Sequence, residues 1–322
     1  VGLPLAAQTA MALSARLGSG DLEEVRRALE ELSELDDAVE IAAHAGAAVA
    51  HLGPERDVCL AALDVLDRLE PSAVALHAEA MLARLEATDA GLRYRVVEVL
   101  ATLEPAALAL VAPSVHAWVA HRDEGVRRRA VELLGQLEPS ALALSMEHIL
   151  PALDDEDDDV RLVATEALCK LAPPELTARL ELVQARLEDG ESCVRLSALE
   201  AVSLLEPAVC ARQLGRVASL LADEDWRVRR GAMQLLEQAE PALVVPHLAC
   251  LLRRLADVDV HVRRSGLTVL EKLATAALLS GEQRATVALA LRPLATIDNN
   301  SQTRARATAL LGLVSPEPAE SE

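Results

Sequence analysis

Residues 154–171, DDEDDDVRLVATEALCKL, place six consecutive carboxylates directly before a Val-Arg pair and a stretch with helical spacing. A run of like charges is unfavourable unless its surroundings compensate for the repulsion. The N-terminus of a helix does so, because its dipole and its free N–H groups favour negative charge. This stretch therefore predicts an acidic turn that leads into a helix.

The acidic turn belongs to a repeat with a period of 34 residues. Prolines mark the start of the repeat at six equally spaced positions: Pro71, Pro105, Pro139, Pro173, Pro207 and Pro241. An acidic residue stands 18 places after each proline, and an arginine stands 22 places after it. Proline suits the first position of a helix and moves the residue before it out of the α region. Each repeat is therefore predicted to contain a first helix that begins at the proline, the acidic turn and a second helix.

Apolar residues recur 10, 14, 21, 25, 29 and 32 places after each proline, with few exceptions such as Gly266. Spacings of three and four residues indicate the buried faces of helices. The pattern extends to the N-terminal segment with one deletion, and to the C-terminal segment with an insertion of about seven residues. We therefore predict nine helical hairpins and a polar tail, in the order 1–36, 37–70, 71–104, 105–138, 139–172, 173–206, 207–240, 241–274, 275–315 and, for the tail, 316–322.

The leading proline, the acidic turn with its Val-Arg pair and the apolar second helix resemble the HEAT repeat. The resemblance implies an all-α fold, a right-handed α-solenoid of about nine 34-residue hairpins over residues 1–315. It also implies that the acidic and arginine columns form a structural ladder between successive repeats, with the members Asp89, Arg93, Asp123, Arg127, Asp157, Arg161, Glu191, Arg195, Asp225, Arg229, Asp259 and Arg263. Tetratricopeptide repeats share the period, but a chain without Phe and with one Tyr cannot supply their aromatic signature.

The two ladder residues of one repeat are four positions apart, so they can also pair locally on the second helix. An exposed pair of this kind contributes about 0.3–1 kcal/mol. We therefore expect the ladder to set the register of the repeats more than it stabilises them.

Composition narrows the classes of partner. The net charge of −20 and the aromatic content of 1% argue against a duplex DNA or RNA binder, which needs a basic face. The acidic charge leaves proteins as partners, including ones with basic segments. Five cysteines without a CxxC pair indicate reduced thiols, and hence the cytoplasm or another reducing compartment, including an organelle if a targeting peptide has been removed. No uninterrupted apolar segment is long enough to span a bilayer.

Sequence features of catalysis are scarce. The chain has no Gly-rich phosphate loop and no GxSxG motif, and its eight histidines are scattered. Some HEAT-like proteins are di-iron hydroxylases that use His-Glu dipeptides, but the adjacent pair here, Glu147-His148, has the reverse order. The run at 154–159 lacks the spaced ligands of an EF-hand, so a solvated loop is favoured over a weak cation site. We therefore predict no catalytic residue, no metal and no cofactor.

Function is predicted to come from the shape of the stacked helices. We expect a non-enzymatic scaffold or assembly subunit of a larger complex, which binds a partner protein on its concave or terminal surface. The alternative is an enzyme-associated HEAT-like protein of the phycobilin chromophore-lyase or metal-hydroxylase type, which the resemblance brings in through the repeat alone.

The predicted partner-binding site includes a row of carboxylates that stand 27 places after each repeat start. The row comprises Asp64, Glu98, Glu132, Glu166 and Glu200, and continues as Gln234 and Thr268. On the inner flank of the second helices these carboxylates would attract a basic segment, unless they form only a solvated flank or are neutralised, as Arg128 could neutralise Glu132. Tyr94 and Trp226 are the predicted aromatic anchors of the site.

Overall fold

A computed structural model describes residues 5–86 and 89–315, and the regular structure in these ranges is helical, without strands. The predicted all-α fold is confirmed. The chain divides into two compact units, residues 1–171 and 172–322. The boundaries of the nine hairpins and the single solenoid over 1–315 stay predictions, and the tail predicted at 316–322 lies outside the described residues.

The first unit consists of consecutive helical hairpins. Its helices are α1 Leu5–Leu17, α2 Leu22–Ser33, α3 Ala38–Ala50, α4 Arg56–Asp67, α5 Pro71–Ala75, α6 Ala78–Leu82, α7 Ala90–Leu100, α8 Pro105–His116, α9 Glu124–Leu134, α10 Pro139–Ile149 and α11 Asp158–Cys169. Short 3₁₀ turns close several first helices, at Ala83–Glu86, Ala117–Ala120 and Leu150–Asp154.

The second unit repeats this arrangement. Its helices are α12 Pro173–Thr177, α13 Leu180–Arg186, α14 Ser192–Ser203, α15 Pro207–Ser219, α16 Trp226–Gln238, α17 Pro241–Val244, α18 Leu248–Arg254, α19 Val260–Thr275, α20 Gly281–Ile297 and α21 Ser301–Val314. Its 3₁₀ turns lie at Leu220–Ala222 and Val245–His247.

The six periodic prolines stand where the sequence predicts, at the first residue of α5, α8, α10, α12, α15 and α17. The residue before each proline has an extended backbone; Glu104, for example, has φ −65° and ψ 150°. Because proline fixes its own φ and excludes helical geometry from its predecessor, it ends one hairpin and starts the next.

The acidic run at 154–159 is the turn before α11. Asp157 is the N-cap of this helix, and its side chain accepts a hydrogen bond from the backbone N–H of Val160. Asp158 and Asp159 lie in the first turn, where the helix dipole favours their charge. The same side-chain cap is present at Asp21, Asp37, Asp89, Asp123, Asp225 and Asp259. Glu191 holds the cap position of α14, with no side-chain cap hydrogen bond to the described residues.

Three repeats depart from the prediction of one continuous first helix. The break falls at the same repeat position, at His77, Arg179 and His247. His77 has φ −110° and ψ 1°, and its N–H donates to the carbonyl of Val74, three residues back. Such a tightened turn ends the run of α-helical hydrogen bonds, so the first helix continues as a separate short segment.

The core of each unit is built from Leu, Val and Ala of both helices in every hairpin. The apolar column 29 places after each proline is at most 1% exposed: Leu100, Leu134, Leu168, Val202, Leu236 and Leu270. Full burial of one such side chain contributes about 1.5–3 kcal/mol. This column therefore supplies a regular share of the stability, as its spacing predicts.

Two histidines of neighbouring first helices stack in the first unit. The ring centroids of His116 on α8 and His148 on α10 are 3.8 Å apart, and the rings are 15° from parallel. The Nε2 atom of His116 also lies 3.1 Å from the hydroxyl of Ser145. Burial lowers the pKa of His116, and charge on His148 lowers it further.

We expect His116 to make the protein less stable in weak acid. A histidine whose folded pKa lies below its unfolded value of about 6.5 binds fewer protons when folded. Its contribution is complete above pH of about 6.5 and is lost as the pH falls through the folded pKa. Substitution His116→Gln should therefore flatten the loss of unfolding free energy between pH of about 7.5 and 5.5, measured by urea denaturation. An equal loss in the wild type and the variant would contradict this prediction.

Candidate protein-binding surface

The predicted site residues lie on the second helices of the hairpins or in the turns before them. In the first unit the second helices are α2, α4, α7, α9 and α11, and in the second unit they are α14, α16, α19 and α21. Their exposed residues form what we name the second-helix surface of each unit.

In several places, a buried arginine of one hairpin contacts an aspartate of the next hairpin. Arg127 on α9 donates two hydrogen bonds of 2.7 Å to the carboxylate of Asp155 in the next hairpin. Its Nη1 atom also donates to the backbone carbonyls of His121 and Arg122 in its own turn. One guanidinium therefore holds two successive turns, a contact that we name the arginine joint. The same joint is formed by Arg195–Asp223, Arg229–Asp257 and Arg263–Asp298.

The acidic partner in these joints differs from the predicted one. Asp155 stands two residues before the cap Asp157, whereas the predicted ladder used the cap column. The cap carboxylate is held by the N–H of its helix, while Asp155 accepts the N–H of Asp157 and presents both oxygens to the arginine. The partners that the sequence analysis missed follow the same period of 34 residues, as Asp155, Asp223 and Asp257 show.

One joint pairs an arginine with the cap residue, as predicted. Position 121 is a histidine, and Arg93 donates a 2.6 Å hydrogen bond to Asp123. His121 keeps one of the two contacts that Asp155 makes, the one within its own turn. Its Nδ1 atom accepts the N–H of Asp123, as Asp155 accepts the N–H of Asp157. Arg161 of the predicted ladder donates to the backbone carbonyl of Asp155 in its own turn.

The joints are buried, contrary to the expectation of exposed pairs. Arg127, Arg195, Arg229 and Arg263 are between 6% and 9% exposed. The hydrogen bond to Asp223 raises the pKa of Arg195. Burial raises the pKa of Asp257, but the Arg229 guanidinium and the N–H of Asp259 together bring it below its usual value. Both partners of the Arg229–Asp257 joint are therefore charged at neutral pH, and the joint has a structural role.

Arginines of the same surface offset the first three carboxylates of the predicted row. Arg95 lies 2.8 Å from Asp64 and 3.3 Å from Glu98. Glu132 contacts two arginines of its own helix, Arg129 at 2.6 Å and Arg128 at 3.6 Å. The negative potential that was expected to attract a basic segment is therefore reduced at these positions.

The predicted row changes its chemistry along the chain. Glu166 and Glu200 are exposed, and the following positions are the uncharged Gln234 and Thr268. The row is consequently a mixture of acidic and neutral side chains. Binding of a basic segment along it stays a prediction.

Both predicted aromatic anchors are exposed beside cationic or imidazole side chains. Tyr94 on α7 is 44% exposed, and the guanidinium carbon of Arg129 lies 5.7 Å from its ring centroid. A cavity of about 180 Å³ adjoins this pair. Trp226 at the start of α16 is 39% exposed, and its ring centroid is 6.1 Å from that of His261 on the next second helix. Arg129 and His261 reach the aromatic rings from a neighbouring hairpin, so spacing within one repeat did not identify them.

The described residues include no cluster of potential metal ligands. Within 5–86 and 89–315, no group of three His, Cys, Asp or Glu side chains is arranged to bind a metal ion. The acidic turn uses Asp155 in a joint and Asp157 in a cap. In the same described ranges, no helix has the length and apolar character needed to cross a membrane.

Comparison with known proteins identifies the repeat. A family model described as HEAT repeat matches residues 146–173, which include the acidic turn and α11. The chain therefore contains a HEAT repeat. No curated protein gives a significant sequence match to the chain.

Solved structures of helical-repeat proteins resemble this chain in fold. A chain from a homology model of the full-length AP-3 complex has a TM-score of 0.66 at 15% identity, with 96% of this chain and 60% of that chain covered. A chain from a structure of Kap95p binding to RanGDP has a TM-score of 0.63 at 16% identity, with coverages of 96% and 45%. An engineered protein has a TM-score of 0.58 at 17% identity, with coverages of 95% and 88%. This protein thus spans less than two thirds of the first two chains.

Proposed function

We propose that the protein is a non-enzymatic scaffold, a subunit of a larger assembly, that binds a partner protein on its second-helix surface. The observation that carries the proposal is the exposure of Tyr94 beside Arg129 and of Trp226 beside His261. In a chain with 1% aromatic residues, this surface carries two of the three Trp and Tyr side chains. Trp, Tyr and Arg contribute most of the binding energy at protein interfaces, because they combine a large rigid contact area with a polar group.

The similar structures support the proposal at the level of the fold. Two of them come from protein assemblies, the AP-3 complex and the pair of Kap95p and RanGDP. A protein partner is favoured over a nucleic acid because the net charge of −20 repels a polyanion. Five cysteines without a CxxC pair support a reducing compartment as the place of assembly.

The test is a binding measurement with variants of the two aromatic anchors. A partner found by cross-linking would be purified and titrated calorimetrically against the wild type, Tyr94→Ala and Trp226→Ala. We expect at least one substitution to weaken binding about tenfold or more, because a central aromatic anchor contributes above 1 kcal/mol. Thermal unfolding of each variant checks that the fold is intact.

Leu144→Ala is the control for loss of exposed apolar area. Leu144 is 83% exposed on the first helix α10 and lies in a row with Leu76 and Leu110, which are 82% and 79% exposed. Binding that depends on this row and is indifferent to Tyr94 and Trp226 would place the partner on the first helices and contradict the proposal. Iron or a bilin bound to the purified protein would instead favour the hydroxylase or lyase alternative.

A further inference from the structure

A basic cavity of about 290 Å³ lies on the second-helix surface of the second unit, between α16, α19 and α21. Its lining consists of Arg230, His261, Arg264, Ser265, Thr268 and Arg306. Among the described residues, no carboxylate contributes to this lining, although the protein carries a net charge of −20. The cavity is therefore a local positive region on an acidic protein.

Two of the three arginines in this cavity lack a counter-ion. Within residues 5–86 and 89–315, neither Arg230 nor Arg264 has a carboxylate partner, and both side chains are half-buried. Arg306 differs, since it contacts Glu271 at 2.6 Å and the hydroxyl of Thr268 at 3.0 Å. A half-buried charge without a partner is unfavourable, so the two arginines indicate an anion that comes from another molecule.

The equivalent arginine of the first unit shows what has changed. Arg128 occupies the same repeat position as Arg230, and it pairs with Glu132 on its own helix and with Asp159 on the next second helix. At the positions of these two acids, the hairpin of Arg230 and its successor have Gln234 and His261. The second unit therefore keeps the cation and replaces both of its acidic partners.

We infer that this cavity binds the phosphate group of a phosphorylated side chain on the partner protein, an inference that rests on the proposed scaffold function. Two uncompensated guanidinium charges balance a phosphate monoester of about −1.5 to −2, whereas a carboxylate would leave one of them unpaired. Guanidinium groups match the geometry of phosphate oxygens, and the hydroxyl of Ser265 offers a further donor.

The surroundings of the cavity favour a phosphorylated peptide over a nucleic acid. Trp226 lies one turn before Arg230 on α16, and its ring stacks on His261, which lines the cavity. Residues next to the phosphorylated side chain can therefore contact an exposed indole ring. A nucleic acid would bring many phosphates against the net charge of −20, while a single phosphate on a neutral or basic peptide avoids that repulsion.

The test uses the 322-residue chain and fluorescein-labelled degenerate peptide libraries, and binding is measured by fluorescence anisotropy. Three libraries carry one fixed phosphoserine, phosphothreonine or phosphotyrosine, and the comparison libraries carry serine or glutamate at that position. We expect one phosphorylated library to bind at least about tenfold more tightly than both comparison libraries. The double variant Arg230→Ala, Arg264→Ala should lose this preference.

The matched control removes the same charge elsewhere in the second unit. Arg212 on α15 and Arg253 on α18 are exposed on first helices, so the double variant Arg212→Ala, Arg253→Ala should keep the preference. Arg230→Lys, Arg264→Lys retains the charge without the planar fork and should bind the preferred library more weakly than the wild type. The lysine double variant gives a result even if the double variant Arg230→Ala, Arg264→Ala fails to fold.

Several outcomes would overturn the inference. They are equal binding of the glutamate and phosphorylated libraries, equal effects of the two alanine variants, and tighter binding of a single-stranded RNA 12-mer through Arg230 and Arg264. Inorganic phosphate should displace the peptide only weakly, and displacement at concentrations equal to the peptide would show that the site takes free phosphate instead. If phosphate preference is absent while partner binding still needs Trp226, this inference fails and the proposed scaffold function stands.

Discussion

Substitution of Arg195 by alanine is expected to lower the free energy of unfolding by about 3–5 kcal/mol. Arg195 donates hydrogen bonds of 2.8 and 2.9 Å to Asp223, and bonds of 2.8 Å to the carbonyls of Asp189 and Gly190. The Asp223 side chain is 6% exposed, so the variant leaves a buried carboxylate without its cation. That desolvated charge, more than the lost attraction, accounts for the expected magnitude.

Urea denaturation at neutral pH measures this effect, with Arg230→Ala as the matched control. Arg230 has no carboxylate partner among the described residues, so its loss should change the unfolding free energy by less than about 0.5 kcal/mol. Replacement of both joint partners, as Arg195→Met with Asp223→Leu, should recover most of the loss because no unpaired charge remains. If Arg195→Ala lowers the free energy of unfolding by less than about 1 kcal/mol, the joint contributes no more than an exposed surface ion pair, and the prediction is wrong.

Substitution of Leu134 by alanine is expected to cost about 2–5 kcal/mol. Leu134 lies near the C-terminus of α9 in the fully buried apolar column and is 0% exposed. Removal of its three outer carbons forfeits the burial of apolar surface and leaves a cavity that neighbouring hairpins, held by their joints, can close only in part. The midpoint of urea denaturation should therefore shift to lower concentration.

Leu144→Ala is the control for this second prediction, since it removes the same atoms from a side chain that is 83% exposed. It should change the unfolding free energy by less than about 0.5 kcal/mol. Similar costs at Leu134 and Leu144 would mean that the 29-place column does not form the core. That result would contradict the periodicity on which the fold assignment depends.

The hairpins could be predicted because their signals lie within one repeat. Proline at the start of a first helix, aspartate at the N-cap and leucine in the 29-place column act through local geometry or through burial, and both leave a fixed spacing. The breaks at His77 and Arg179 could not be predicted in this way. No proline or glycine stands at either position, so the departure from helical geometry leaves no mark in the repeat spacing.

Contacts between repeats were the harder part of the prediction. The repeat pattern indicated the arginine of each joint, but its acidic column contains Asp157 and not Asp155. Both lie in a turn with six carboxylates, and only the structure distinguishes the one that caps from the one that faces the arginine. The row of carboxylates was predicted better at Glu132, since Arg128 contacts it at 3.6 Å as expected from their spacing, although the closer contact with Arg129 at 2.6 Å was not foreseen.

The arginine joint also determines how a chain of this kind can change its length. The partners are 28 residues apart at Arg195–Asp223 and 35 residues apart at Arg263–Asp298, yet the contact is the same. The extra residues fall outside the turn, where helices α19 and α20 are 16 and 17 residues long. Hairpins 207–240 and 241–274 each donate one guanidinium to the next hairpin and accept one from the hairpin before. Duplication or loss of a whole hairpin in the gene would leave each joint arginine opposite an aspartate of the next hairpin. The number of hairpins can therefore change without a new kind of contact between neighbours.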